Sequence, residues 1–178
     1  MLYRRTGVAD VLIIEPEPRH DDRGFFARMY CEAEFLEHGL DARVAQSSVA
    51  YNDRRGTLRG LHLQREPYAE TKLVRCIRGA MFVVAADLRP ESPTYGAHVT
   101  TELTADDRRA LYVPKGCATG YQTLTDGTEA LYLISDPHVP GSESGIHHAD
   151  PTLAIAWPLP VSTISERDLG LPFLDAIG

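Results

Sequence analysis

Leu58-Arg59-Gly60-Leu61-His62-Leu63, Leu73-Val74-Arg75-Cys76-Ile77 and Met81-Phe82-Val83-Val84-Ala85-Ala86-Asp87 are three apolar runs of strand length. Arg65, Glu66, Pro67, Tyr68 and Glu70 interrupt the first pair, and Arg78-Gly79 the second. Such runs, bounded by Gly, Pro and charged residues, read as β-strands. The pattern extends both ways, through Val11–Ile14, Val44–Val49, His98–Leu103, Ala110–Val113, Gly120–Leu124 and Glu129–Ile134. Recurrence every ~8–14 residues points to an all-β sandwich or barrel, not to βαβ units. Helix is expected only at Cys31–His38, with Phe35 and Leu36 on one side and Gly39 as a stop, plus one turn at Asp106–Arg109. The Pro-rich tail from Asp150 to Pro172 carries Ile155, Trp157 and Leu159 and is expected to pack on the barrel. With 178 residues and no repeat or linker, residues 1–178 are expected to form one domain.

The formal net charge is −7 and the pI about 5.4. This balance argues against nucleic-acid binding. No run approaches the ~18 apolar residues of a membrane span, and residues 1–10 lack an apolar signal-peptide core. The expected location is cytoplasmic, with no membrane partner. Cys31, Cys76 and Cys117 are odd in number and far apart. They read as packed thiols, not as disulfides or zinc ligands.

Charge reverses locally. Between residues 54 and 78 stand seven bases (Arg54, Arg55, Arg59, Arg65, Lys72, Arg75, Arg78) against Glu66 and Glu70. A histidine in this window, His62, suits proton transfer on an anionic small molecule. Arg59 and His62 have opposite strand parity, so they share a face only if the backbone deviates. Gly60 would permit a bulge there. Lys72 alternates with Val74 and Cys76 and is expected to point inward. Tyr132, in an apolar strand, needs a partner for its hydroxyl.

A catalytic metal is not expected. His62-Leu63-Gln64 has one imidazole where cupin metal sites have two, and Thr119 stands where a later histidine would fall. One imidazole does not hold a first-row metal tightly. His147-His148 is read as a surface pair whose side chains diverge.

Asp22-Arg23-Gly24-Phe25-Phe26, Leu58-Arg59-Gly60-Leu61-His62, Lys72-Leu73-Val74-Arg75-Cys76, Leu88-Arg89-Pro90-Glu91-Ser92-Pro93-Thr94-Tyr95, Val113-Pro114-Lys115-Gly116, Asp150-Pro151-Thr152 and Ala156-Trp157-Pro158 occur in this order along the chain. In these blocks the sequence resembles the dTDP-4-dehydrorhamnose 3,5-epimerase family. The resemblance implies a cupin-like double-stranded β-helix (jelly roll), a homodimer, and no metal or other cofactor. The implied substrates are nucleotide-diphospho-4-keto-6-deoxyhexoses. His62 is the implied base, paired with Asp168, and Tyr132 the acid on the opposite face. Lys72 would stabilise the enolate oxygen. Arg23, Arg59 and Arg167 would hold the diphosphate or nucleotide, aided by Phe26, Gln46 and Glu143.

The chain departs from the family pattern at four pocket positions. Thr119 replaces a histidine, His138 a tyrosine, Arg28 a glutamate and Ser48 an asparagine. Three enzymatic readings stay open: inversion at both C3 and C5, a single-centre epimerase or keto-isomerase, and the same acid–base pair acting on a non-sugar ketone. A nucleotide-sugar binder without turnover is the non-enzymatic alternative.

Overall fold

In the computed structural model, which describes residues 1–176, the apolar runs become strands. The order is β1 (Leu2–Arg5), β2 (Leu12–Glu15), β3 (Arg19–Asp21), β4 (Gly24–Phe26), α1 (Glu32–Glu37), β5 (Gln46–Asn52), β6 (Leu58–Gln64) and β7 (Lys72–Arg78). It continues with β8 (Ala80–Asp87), β9 (His98–Thr104), β10 (Ala110–Val113), β11 (Cys117–Thr123), β12 (Thr128–Ile134), β13 (Glu143–Gly145) and α2 (Glu166–Leu169). A final 3-10 turn covers Leu174–Ala176. Ile177 and Gly178, the end of the expected domain, lie outside the described residues.

Two antiparallel sheets carry the fold, in the orders β1-β2-β10-β7-β12-β5 and β13-β6-β11-β8-β9; β3 and β4 form a separate hairpin. Period-two alternation assigns the faces. Val74, Cys76, Leu111 and Val113 of the first sheet meet Met81, Val83, Ala85, Cys117 and Tyr121 of the second in the core between them. The outward residues are covered too. Leu73, Ala110 and Tyr112 pack under Phe35 of α1. Val84, Ala86 and Ala118 pack under Leu153, Ile155 and Trp157 of the tail, as expected from the sequence. Sheets covered on both faces explain why β8, β10 and β11 read as nearly unbroken apolar or small-residue runs.

Several local expectations are corrected. The run at Val44–Val49 starts later, at Gln46, and extends to Asn52; that at Gly120–Leu124 starts earlier, at Cys117. Strands β1, β3, β4 and β13, of three or four residues each, are not among the expected runs. Leu36 is exposed while its neighbour Phe35 is buried, because adjacent helical residues point about 100° apart. Asp106–Arg109 is a turn, not a helix. There Asp107 Oδ1 accepts from Arg109 N at 2.8 Å, and Arg108 has a φ of 56°. A side chain that captures the backbone in this way competes with helix formation.

The bulge allowed by Gly60 is present. His62 pairs with Thr119 and Arg59 with Tyr121, so three steps on β6 match two on β11. The extra residue cancels the parity difference and turns both side chains to the barrel interior. Here Gly60 has a φ of 110°, and a Cβ on it would stand 2.6 Å from Gly120 Cα and 2.8 Å from Thr119 O. Gly60→Ala is therefore expected to destabilise by roughly 2–4 kcal/mol, combining backbone strain with overpacking. Thermal unfolding beside Gly7→Ala, whose Cβ would meet nothing within 4 Å, checks this. Equal melting temperatures for the two variants would refute it.

Candidate active site

The inward residues near one barrel end open into a groove with two adjoining lobes. Arg59, His62, Lys72, Thr119, Tyr132, Arg167 and Asp168 line the first, about 340 Å³. Gln46, His62, Lys72, His138, Glu143 and Arg167 help to line the second, about 200 Å³. Both lobes share His62, Lys72, Ile134 and Arg167. His62 comes from one sheet and Tyr132 from the other, so the groove lies between base and acid candidates on opposite walls.

His62 Nε2 stands 2.7 Å from Asp168 Oδ1. Helix α2 delivers the carboxylate; Ser165 caps it, its hydroxyl accepting from Asp168 N at 3.1 Å. Asp168 Oδ2 accepts from Gly60 N at 2.9 Å. Burial alone would raise the Asp168 pKa, but hydrogen bonds from His62 and Gly60 outweigh it and hold the carboxyl below its ordinary range. An ionised carboxylate can only accept, so it fixes the imidazole proton on Nε2 and leaves the Nδ1 lone pair free.

Lys72 points inward, as its parity predicts. Its Nζ donates to His62 O at 3.1 Å and lies 2.8 Å from Glu70 Oε1. On the facing wall, burial pushes the Tyr132 pKa well above its usual value, with the neighbouring Tyr121 adding to the rise. The phenol therefore keeps its proton at neutral pH. In the second lobe His138 Nε2 is 2.7 Å from Glu143 Oε1, and His138 N donates to Gln46 Oε1 at 2.7 Å. The Glu143 carboxyl is held down at about 2 by backbone N–H groups and by His138.

The other residues expected at the site are not brought to it within this chain. Arg23 and Phe26 sit on the β3–β4 hairpin, with Phe26 77% exposed. Arg23 pairs with Asp21 at 2.6 Å. Arg28 pairs with Glu34 at 2.8 Å and lines a separate hollow with Met1 and Glu17. Ser48 pairs in register with Tyr132 but is exposed and lines neither lobe. The basic window also divides. Arg75 is buried, donating to Arg108 O and Met29 O, and burial lowers its pKa to about 10. Among its seven bases only Arg59 and Lys72 reach the groove.

Sequence reading passed over Asn52, Glu70 and Tyr121. Their partners are far along the chain or pair only through the β6–β7 turn, and no local pattern marks them. Positions at which cupins carry metal ligands hold structural hydrogen bonds instead. Gln64 Oε1 accepts from Val139 N and Ser142 Oγ, and Thr119 Oγ1 donates to Val84 O at 2.8 Å. Among the described residues no group of three His, Cys, Asp or Glu side chains is placed to hold a metal ion. The His147 and His148 rings do not diverge. A turn, with Asp150 N donating to His147 O, brings them to 4.4 Å, and both are half-buried.

Comparison with known proteins decides the family. Residues 5–176 match the family described as dTDP-4-dehydrorhamnose 3,5-epimerase. The chain belongs to that family. It is 43% identical to the dTDP-4-dehydrorhamnose 3,5-epimerase of Escherichia coli K12 over 177 residues, covering 97% of this chain and 94% of that one. A dTDP-4-dehydrorhamnose 3-epimerase of Streptomyces niveus is 40% identical over 94% of this chain and 81% of its own length. The crystal structure of dTDP-4-dehydrorhamnose 3,5-epimerase from Elizabethkingia anophelis NUHP1 superposes with a TM-score of 0.96 at 35% identity, covering 99% and 97% of the two chains. Membership bears out the expected all-β, cupin-like fold and the reading as an isomerase. No helix among the described residues is long and apolar enough to cross a membrane.

Proposed function

We propose that this chain epimerises a nucleotide-diphospho-4-keto-6-deoxyhexose, with dTDP-4-keto-6-deoxyglucose as the first substrate to test. The observation that carries the reading is the His62–Asp168 pair on one wall of the groove and protonated Tyr132 on the other. A carbon beside the sugar ketone loses its proton to His62 Nδ1. The resulting enolate places negative charge on the ketone oxygen, which the Lys72 ammonium stabilises. Tyr132 then protonates the carbon from the opposite face, and the centre is inverted. Arg59 and Arg167 offer forked donors to the diphosphate. His138, Glu143 and Gln46 bound the second lobe, next to the sugar or the nucleotide. Neither a metal nor an organic cofactor has a step in this scheme.

A homodimer completes the site in this reading. The β3–β4 hairpin presents Arg23, Phe25 and Phe26 outward, and the edge strand β5 exposes Val49 and Tyr51. A second copy would cover this apolar surface, and its hairpin would supply the cation and aromatic ring that this chain's groove lacks. Cytoplasmic location fits the three unpaired thiols, two of them buried.

One observation favours the narrower activity. The Thr119 hydroxyl is committed to Val84 O and offers the substrate no free proton, so this wall has one donor fewer for a sugar hydroxyl. A 3-epimerase among the relatives accords with inversion at a single carbon. Incubation with dTDP-4-keto-6-deoxyglucose in D₂O, followed by NMR, is the test. Deuterium at C3 and C5 supports double epimerisation, and deuterium at one carbon supports the single-centre enzyme. Absence of exchange at both would overturn the substrate assignment.

A further inference from the structure

The turn from β6 to β7 brings to the groove a carboxylate that the proton transfer described above leaves unused. Glu70 lines the second lobe and is 7% exposed. A buried carboxylate needs donors around it. Gln64 N supplies one, reaching Oε2 at 3.0 Å and Oε1 at 3.2 Å; the Lys72 ammonium supplies another, 2.8 Å from Oε1. The backbone next to Glu70 is pinned. Thr71 N donates to Ser135 Oγ at 2.8 Å, and Ser135 N donates to Thr71 O at 3.1 Å. The other acids of this lobe are engaged elsewhere, Asp136 with Lys115 at 3.0 Å and Glu143 with His138 at 2.7 Å.

An ammonium carries three protons on a tetrahedral nitrogen. Lys72 gives one to His62 O at 3.1 Å and one to Glu70 Oε1. With the stem and these two directions set, only one direction is left for the third N–H. Lys72 borders both lobes, so its free donor has the groove to face. A lysine stem is flexible and its donors rotate, so one partner alone does not hold such an aim.

We infer that Glu70 is a positioning residue: with His62 O it fixes two protons of the Lys72 ammonium and aims the third at the ketone oxygen, where enolate charge develops. The inference rests on the reading of Lys72 as the group that stabilises that oxygen, and its test separates the two. The carboxylate has two opposed effects. It offsets part of the ammonium's charge, and it removes the freedom of a long side chain. A donor held in place beforehand needs no reorganisation as charge develops. Aim therefore outweighs the offset, and removing Glu70 slows turnover.

Glu70→Ala opens this wall to water from the lobe, which satisfies Gln64 N. With dTDP-4-keto-6-deoxyglucose its kcat is expected to fall about tenfold, a part of the roughly 10²–10³-fold that loss of a whole oxyanion donor costs. KM should stay within about twofold of the parent. In a Lys72→Met background the same substitution should change kcat by less than about twofold, because no ammonium is left to aim. Equal falls in both backgrounds would make Glu70 a support of the fold alone. A rise in kcat would make it a damper of the ammonium's charge, and either result overturns the inference. If Lys72→Met keeps the parental kcat, the reading of Lys72 fails and takes the inference with it. Should Glu70→Ala fail to fold, Glu70→Gln goes through the same comparison. Its neutral oxygen holds an ammonium about half as strongly as a carboxylate does, so a fall of about threefold is expected with Lys72 present and none in the Lys72→Met background.

Discussion

Replacing His62 with asparagine is expected to lower kcat about a thousandfold, with KM changed by no more than about threefold. The reason is positional. Lys72 contacts the backbone oxygen of residue 62, which the substitution keeps. Asp168 keeps the hydrogen bond from Gly60 N, so that carboxylate is not stranded. What disappears is the basic nitrogen facing the groove. Deuterium incorporation from D₂O at the sugar carbons should therefore vanish together with turnover. Calorimetric binding of the nucleoside diphosphate portion should persist, since Arg59 and Arg167 are untouched. Retained exchange would mean that another group removes the proton, and the scheme would lose its base.

Sequence made the candidate base legible for a reason that can be traced. An imidazole in an apolar strand, beside cations in an otherwise acidic chain, has few solvated explanations. Parity argued that Arg59 and His62 point apart, and Gly60 named the one place where that could change. The bulge at Gly60 resolved the conflict in favour of the site. Alternation likewise located Lys72 beside Val74 and Cys76, and placed the core strands to within a few residues. The blocks shared with the family supplied what local patterns do not carry: Asp168 stands 106 residues from His62 and sits on a four-residue helix.

What stayed illegible has a common physical form. Asn52, Tyr121 and Arg59 are joined by side-chain hydrogen bonds, the Asn52–Tyr121 link spanning 69 residues. Their meaning depends on closure of the barrel, and neither charge nor periodicity records it. The basic window misled in a related way. Charge counts cannot tell Arg75, buried against two carbonyls, from Arg59, which lines the groove. Arg23, Phe26 and Arg28 belong to the nucleotide-binding set by resemblance, yet within this chain they line neither lobe of the groove. Mixing a hairpin-deficient subunit (Arg23→Ala, Phe26→Ala) with a His62→Asn subunit therefore follows directly from the proposed dimer, each half supplying what the other lacks.

Asp168→Asn is expected to be nearly as damaging to turnover as loss of the imidazole, though it removes one negative charge and almost no volume. As a carboxylate, residue 168 accepts from both Gly60 N and His62 Nε2. As an amide it has one oxygen and one nitrogen. If the oxygen keeps the buried Gly60 N–H, the amide nitrogen faces His62 and must donate to Nε2. The imidazole proton then moves to Nδ1, the nitrogen that should be free to act as base. A wrong tautomer of this kind costs on the order of 10⁴-fold in the serine-protease triad, and here about 10²–10⁴-fold in kcat is expected, with little change in KM. Stability should respond separately. The folded pKa of Asp168 lies below its ordinary value. Its ionised form therefore stabilises the fold fully above the unfolded pKa of about 3.9, and that contribution is lost as pH falls through the folded value. In the asparagine variant this acid-side dependence should disappear, flattening the melting temperature below about pH 4 relative to the parent. Unchanged kcat with altered acid stability would make Asp168 a structural partner of Gly60 only, and would leave His62 to act without it.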